Sequence, residues 1–151
     1  MEEFRKNLLH LMTETFEKPS GIYLDPGDSL FETLDTISDI EASIPVGENC
    51  SSVAAQVAHL IFFIESFERF ALQGDNSPPD WGEVWRTVEG ITREEWDAYK
   101  TKLRDAYGRM MNLFRENPSW NEDTIGGALS IVVHSAYHLG EIRQALCILK
   151  P

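Results

Sequence analysis

The sequence predicts an all-α fold, an up-down-up-down four-helix bundle that takes residues 1–151 as one domain. Three observations predict it. Four segments repeat apolar residues with the 3.6-residue period of an amphipathic helix. No segment sustains the two-residue alternation of a half-buried strand, and the helical segments are separated by stretches carrying proline and glycine. A chain of 151 residues is also the size of a single domain, long enough to bury roughly two-thirds of the surface exposed when unfolded.

The first helix is expected over about residues 2–17, where Phe4, Leu8, Leu11, Met12, Thr15 and Phe16 share one side. The following "KPSG" ends it, because proline and glycine continue a helix only at a cost. A long connection over 18–50 contains "DSLFETLDTI", read as a short helix capped near Asp28 or Ser29. The second main helix, about 51–73, starts at a Ser51 or Ser52 cap. It carries Val53, Val57, Leu60, Phe63, Ile64, Phe67 and Phe70 along one face and stops at Gly74. Residues 74–91 form a loop containing Trp81 and Trp85, and a loop of that length in a small domain is usually functional or packed across an end. The third helix opens on "TREE", a capping box in which Thr92 caps and Glu95 reaches back. Its stripe is Trp96, Tyr99, Leu103, Tyr107, Met110 and Phe114, and "ENP" closes it. The fourth, about 121–149, is apolar almost all round, the pattern of a helix covered on more than one side.

Charge narrows the partners. The net charge is −12, from 25 acidic and 13 basic residues. A surface so acidic repels phosphate backbones and anionic lipid, which argues against nucleic acid and membrane partners. No run of about 18 apolar residues offers a membrane span. The N-terminal "MEEFRKNLLH" lacks the layout of a secretory signal, and Cys50 and Cys147 have no CxxC partner, so a cytoplasmic setting is expected.

Chemistry is expected from the histidines, of which there are four. In "HSAYHLGEIRQ", His134 and His138 are four residues apart and therefore about 40° apart on the helix, one turn above the other. His59 sits at the edge of the apolar stripe of the second helix, between Gln56 and Phe63. His10 lies away from its helix's apolar stripe and is read as a solvent residue. Three inward imidazoles from two helices suit one divalent transition metal, Zn²⁺ or Ni²⁺ before others, and leave coordination positions open for chemistry. The competing reading is a pair of satisfied core histidines, which an isolated HxxxH more often is.

These residues also carry a resemblance. "HSAYHLGEIRQA" on the last helix, with "SSVAAQVAHLIFF" on the second, resembles the DinB-like (DinB/YfiT, damage-inducible) superfamily of bacterial proteins. That resemblance implies a four-helix bundle in which His59, His134 and His138 hold the metal. It further implies a thiol S-transferase type of activity on small molecules, with a low-molecular-weight thiol as cosubstrate. Many members of the superfamily have Gln where this chain has Glu141. A metal-dependent hydrolase using the same three histidines, and a non-catalytic metal-binding or stress-response protein, are the alternatives. No basic cluster is evident for an anionic cosubstrate.

Around the triad, Glu141 lies about 60° from His138 and offers a general base or a partner that orients an imidazole. An exposed glutamate paired with Arg143 or with a neighbouring helix is the reading slightly preferred. Gln56 faces the side of His59 and is expected to hydrogen-bond a metal ligand or the backbone. Tyr137 is read as core, and Gly140, costly inside a helix, as a site of close packing. A homodimer is expected because Ile125, Leu129, Val132, Ala136, Leu139 and Cys147 form a second apolar arc on the last helix. Arg143 falls within that arc, and Leu30, Phe31 and Leu34 of the long connection compete to cover it.

Overall fold

The computed structural model describes residues 1–150 other than 76, 79, 81, 83, 86, 87, 89 and 117–119, so Trp81 and the "NP" of "ENP" lie outside the described residues. Among the described residues the regular structure is entirely helical. Four long helices are α1 (Glu2–Phe16), α4 (Val53–Gln73), α5 (Arg93–Glu116) and α6 (Glu122–Leu149). Two short ones, α2 (Leu30–Asp35) and α3 (Asp39–Ser43), lie in the first connection.

Local chemistry sets the boundaries close to where the sequence places them. The Ala55 N–H donates to Ser52 Oγ at 3.2 Å, and Gly74 ends α4 in the left-handed conformation at φ 66°. Thr92 and Glu95 form the expected capping box, the Thr92 N–H donating to the Glu95 carboxylate at 2.8 Å and the Glu95 N–H to Thr92 Oγ1 at 3.2 Å. The short helix in "DSLFETLDTI" starts after Ser29. Helix α3 was not anticipated, although Ser38 and Glu41 form a second capping box that was readable.

The core is built from the predicted stripes. Leu8, Met12, Val57, Leu60, Ile64, Trp96, Leu103, Met110 and Phe114 are all buried, and α2 adds Leu30, Phe31 and Leu34. Fully burying side chains of this size contributes about 1.5–3 kcal/mol each before the entropy of ordering them is counted. Trp96 also donates its Nε1–H to the Ile37 carbonyl at 2.8 Å, which ties the first connection to α5.

Named contacts give the helix directions. Lys102 meets Glu65, Arg109 meets Glu68, and Phe114 meets Phe67, so α4 and α5 run the same way. Phe16 stacks on Tyr107 while Phe4 lies against Trp120, just past the end of α5, so α1 runs opposite to α5. His59 meets His138, while Phe67 lies where a Cβ on Gly127 would run into its ring, so α4 and α6 are antiparallel. The order of directions is therefore up, down, down, up, which corrects the simple alternation expected from the sequence. The physical reason lies in the connection between α4 and α5, whose described residues Trp85 and Ile91 are found back toward the start of α4 and not at its end. Trp85 stacks on His59, and the Ile91 N–H bonds Ser43 Oγ at 3.0 Å, both near the start of α4. Helices α1 and α4 each pack against both α5 and α6.

One buried charge shapes the first connection. Glu14 is fully buried, and its carboxylate accepts from Ser20 Oγ and from the backbone N–H groups of Ile22, Tyr23 and Leu24. Burial alone raises its pKa, but these four donors outweigh that and bring it down from 4.5 to about 2. The "KPSG" turn is thus fastened back onto α1.

Helix α6 departs from expectation. Its supposed second arc does not form one surface: Val132 and Leu139 are buried in the chain's own core, whereas Leu129 and Cys147 are exposed. Arg143 bridges Asp28 at 2.7 Å and donates to Thr33 Oγ1 at 3.4 Å, so the first connection supplies its partners. The close-packing role falls to Gly127 against Phe67 and not to Gly140, where an added Cβ would meet nothing within 4 Å. A Gly127→Ala variant is expected to lose about 1–3 kcal/mol by overpacking despite alanine's better helix propensity, and Gly140→Ala to lose nothing. Chemical denaturation of the two variants checks this.

Candidate metal centre

Antiparallel packing of α4 against α6 brings His59 opposite the His134/His138 pair. His59 Nε2 and His134 Nε2 stand 3.0 Å apart, and one ring nitrogen from each of the three histidines lies within 4.8 Å of the others. His59 and His138 are buried and His134 is half-buried. Ring centroids are 4.6–5.1 Å apart. Two imidazole nitrogens bound to one ion at about 2.0–2.1 Å stand roughly 3–3.4 Å apart, and the His59–His134 separation falls in that range. The same distance accommodates an N–H···N hydrogen bond in the metal-free chain.

The donor chemistry fits a cation more specifically than the distances do. His138 Nδ1 lies 3.3 Å from Gln56 Oε1 and 3.0 Å from the Glu141 carboxylate, both acceptors. A ring nitrogen facing two acceptors carries the proton, which leaves Nε2 of the neutral imidazole as the nitrogen with a lone pair for a cation. Gln56 is itself buried, so the backup of His138 is built into α4. Glu141 therefore orients His138 and does not pair with Arg143, whose ionic partner is Asp28. Tyr137, read as core from the sequence, is 60 % exposed and donates its hydroxyl to Glu141 Oε1 at 2.7 Å. That bond holds the phenol above its usual pKa. His10 is exposed, as expected, and bonds Ser20 Oγ.

Aromatic rings close the sides. Phe63 stacks on His134 with centroids 4.0 Å apart, and Trp85 stacks on His59 at 4.6 Å. Sequence reading placed Trp85 in a functional or packed loop without giving it a role. Its signal was an aromatic residue in a connection much longer than helix pairing requires.

Burial works against protonation of all three imidazoles. Desolvation, then the neighbouring imidazoles, depress His59 to about 4, partly offset by Glu141, and desolvation followed by His134 brings His138 to about 4. His134 is lowered by desolvation, with Glu141 opposing. All three are neutral at pH 7, the form a metal needs. The sign for stability follows. Below pH 6.5 the unfolded chain takes up protons that the folded one refuses until about pH 4, so the stability of the metal-free protein falls as pH drops through that window. Thermal unfolding after chelation at pH 7 and pH 5 measures it, and His59→Asn should flatten the dependence.

Two of the three, His59 and His138, line a cavity of about 780 Å³ between the start of α4, the Trp85 loop and the second half of α6. Its lining includes Cys50, Gln56, His59, Trp85, Tyr137, His138, Glu141 and Gln144. No family model, no curated protein and no solved structure matches the chain.

Proposed function

We propose that this chain is a four-helix-bundle protein that binds one divalent transition metal, Zn²⁺ or Ni²⁺, through His59, His134 and His138. We further propose that it uses the ion in thiol S-transferase-type chemistry on small molecules. The observation that carries the reading is the cluster itself: one ring nitrogen from each of His59, His134 and His138 lies within 4.8 Å of the others, and Gln56 and Glu141 face Nδ1 of His138. The DinB-like resemblance, and with it the thiol cosubstrate, belongs to this proposal, as does a cytoplasmic setting for a chain with two exposed free cysteines. A bound divalent ion would supply a Lewis acid that lowers the pKa of a thiol or water beside it. The chain's own residues do the remaining work. Gln56 and Glu141 fix the His138 tautomer, Phe63 and Trp85 shield the imidazoles from solvent, and the cavity admits a small molecule. A hydrolase acting at the same three histidines, and a non-catalytic metal-binding protein, are the competing outcomes. Among the described residues no helix is long and apolar enough to cross a membrane.

Stripping the metal with a strong chelator should abolish thiol-transfer activity, and re-addition should restore it. Loss and recovery of ester or amide hydrolysis instead would favour the hydrolase. Equal rates with and without metal for every substrate class would favour the binding protein.

A homodimer is part of the same reading, supported by the outer side of α6. The exposed residues there that lie outside the cavity lining, Gly126, Leu129, Ser130, Val133 and Cys147, are all uncharged, although the chain carries −12 overall. Leu129 and Val133 are 45 % and 67 % exposed. Two acidic chains meet most cheaply across such a face. Light scattering should give twice 17.2 kDa for the native chain and the monomer mass for Val133→Asp. A monomeric native chain at micromolar concentration contradicts it.

A further inference from the structure

The charge of the cavity wall bears on what the cavity takes. Among the described residues that line it, Glu141 is the one charged side chain; Asn49, Ser51, Gln56 and Gln144 are polar but uncharged. Among the described residues, the two cations in the last stretch of the chain are engaged elsewhere: Arg143 with Asp28, and Lys150 with Glu41 and the Thr36 carbonyl. Glu141 is not used up by its neighbours. A carboxylate has about four acceptor positions, of which Tyr137 and His138 occupy one each, and its side chain is 41 % exposed. Tyr137 and Trp85, both in the lining and both partly exposed, add aromatic faces that favour a cation. At longer range the −12 net charge draws cations toward the mouth and repels anions.

We propose that Glu141 is a specificity-determining residue which selects, as the small thiol of this site, one bearing an ammonium group, and rejects thiols bearing carboxylates. In this arrangement the thiol sulfur approaches the three-histidine end while the ammonium donates to the free acceptor positions of Glu141 beside the Tyr137 ring. The inference rests on the metal-site reading for the place of the sulfur, and on Glu141, Tyr137 and Trp85 for the charge preference. Glu141 keeps its orienting bond to His138 in either case, and a glutamine there retains an acceptor for that bond.

The test uses the full-length protein loaded with Co²⁺ and two probes of similar size, cysteamine and 3-mercaptopropionate. Binding is followed by the thiolate-to-cobalt charge-transfer absorption. Cysteamine is expected to bind at least ten-fold more tightly than 3-mercaptopropionate, and Glu141→Gln should shrink that ratio at least five-fold. Comparing the ratio between the two proteins cancels the different acidities of the thiols. Equal or tighter binding of 3-mercaptopropionate by the native protein, or a ratio unchanged in Glu141→Gln, overturns the proposal. Failure of Co²⁺ to produce ligand-field bands before any thiol is added contradicts the metal reading instead. The same two thiols, followed by tryptophan fluorescence on the metal-free chain with Trp85→Phe as control, then decide the charge preference by the same ratios.

Discussion

A His134→Ala, His138→Ala double variant is expected to lose divalent-metal binding while keeping the helical far-ultraviolet spectrum of the native chain. Removing a hydrogen-bonding partner behind a metal ligand already costs about 10–100-fold in affinity, so removing two ligands should cost well over a hundred-fold. The helices do not depend on the ion. Leu60, Trp96, Met110, Phe114 and Ile131 belong to one buried apolar cluster that includes none of the three histidines. Truncating two imidazoles leaves a small cavity and costs a few kcal/mol at most. Gln56→Leu is a milder variant: it removes one of the two acceptors behind His138 and should weaken metal binding about ten-fold. Metal titration by isothermal calorimetry, with circular dichroism on the same samples, reads both effects.

The largest expected loss of stability comes from Glu14. Glutamine at that position keeps the size but replaces one carboxylate oxygen with an N–H₂ group facing backbone N–H donors. One or two backbone donors lose their acceptor at a buried end, at about 1–3 kcal/mol each, and the charge that strengthens all four bonds is lost with them. Glu14→Gln is therefore expected to cost about 3–5 kcal/mol and to lower the melting temperature by roughly 10 °C. The acid dependence carries a second signature. With a folded pKa of about 2 against an ordinary 4.5, Glu14 contributes its full stabilisation above pH 4.5 and loses it as pH falls toward 2. The variant should lack that part of the decline. Urea denaturation at pH 7 and pH 3 tests both statements, and a variant as stable as the native chain would show that the turn at 20–24 is held by something else.

The parts of this molecule that were legible in the sequence are those set by local periodicity. The α5 stripe from Trp96 to Phe114, the Ser52 cap and the Thr92–Glu95 box depend on residues three or four apart, and they fold as written. The convergence of His59 with His134 and His138 was legible for the same reason, since each lies on the inward side of its own helix. Helix direction was not legible, because it depends on a connection whose anchors are non-local: Trp85 on His59, Ile91 on Ser43, and Trp96 on Ile37. Glu14 stayed hidden because a single acidic residue beside an apolar stripe reads as solvated until the following turn folds over it. Tyr137 was misread because periodicity does not distinguish a core tyrosine from one at a cavity rim whose hydroxyl reaches a carboxylate four residues on.

The central claim is that three neutral imidazoles on α4 and α6 hold one metal ion. Native mass spectrometry of the purified protein reconstituted with Zn²⁺ or Ni²⁺ tests it most directly. One ion retained per 17.2 kDa chain, and none in the His134→Ala, His138→Ala variant treated identically, is the predicted result. Equal retention by the two proteins, or none by the native chain, would contradict it.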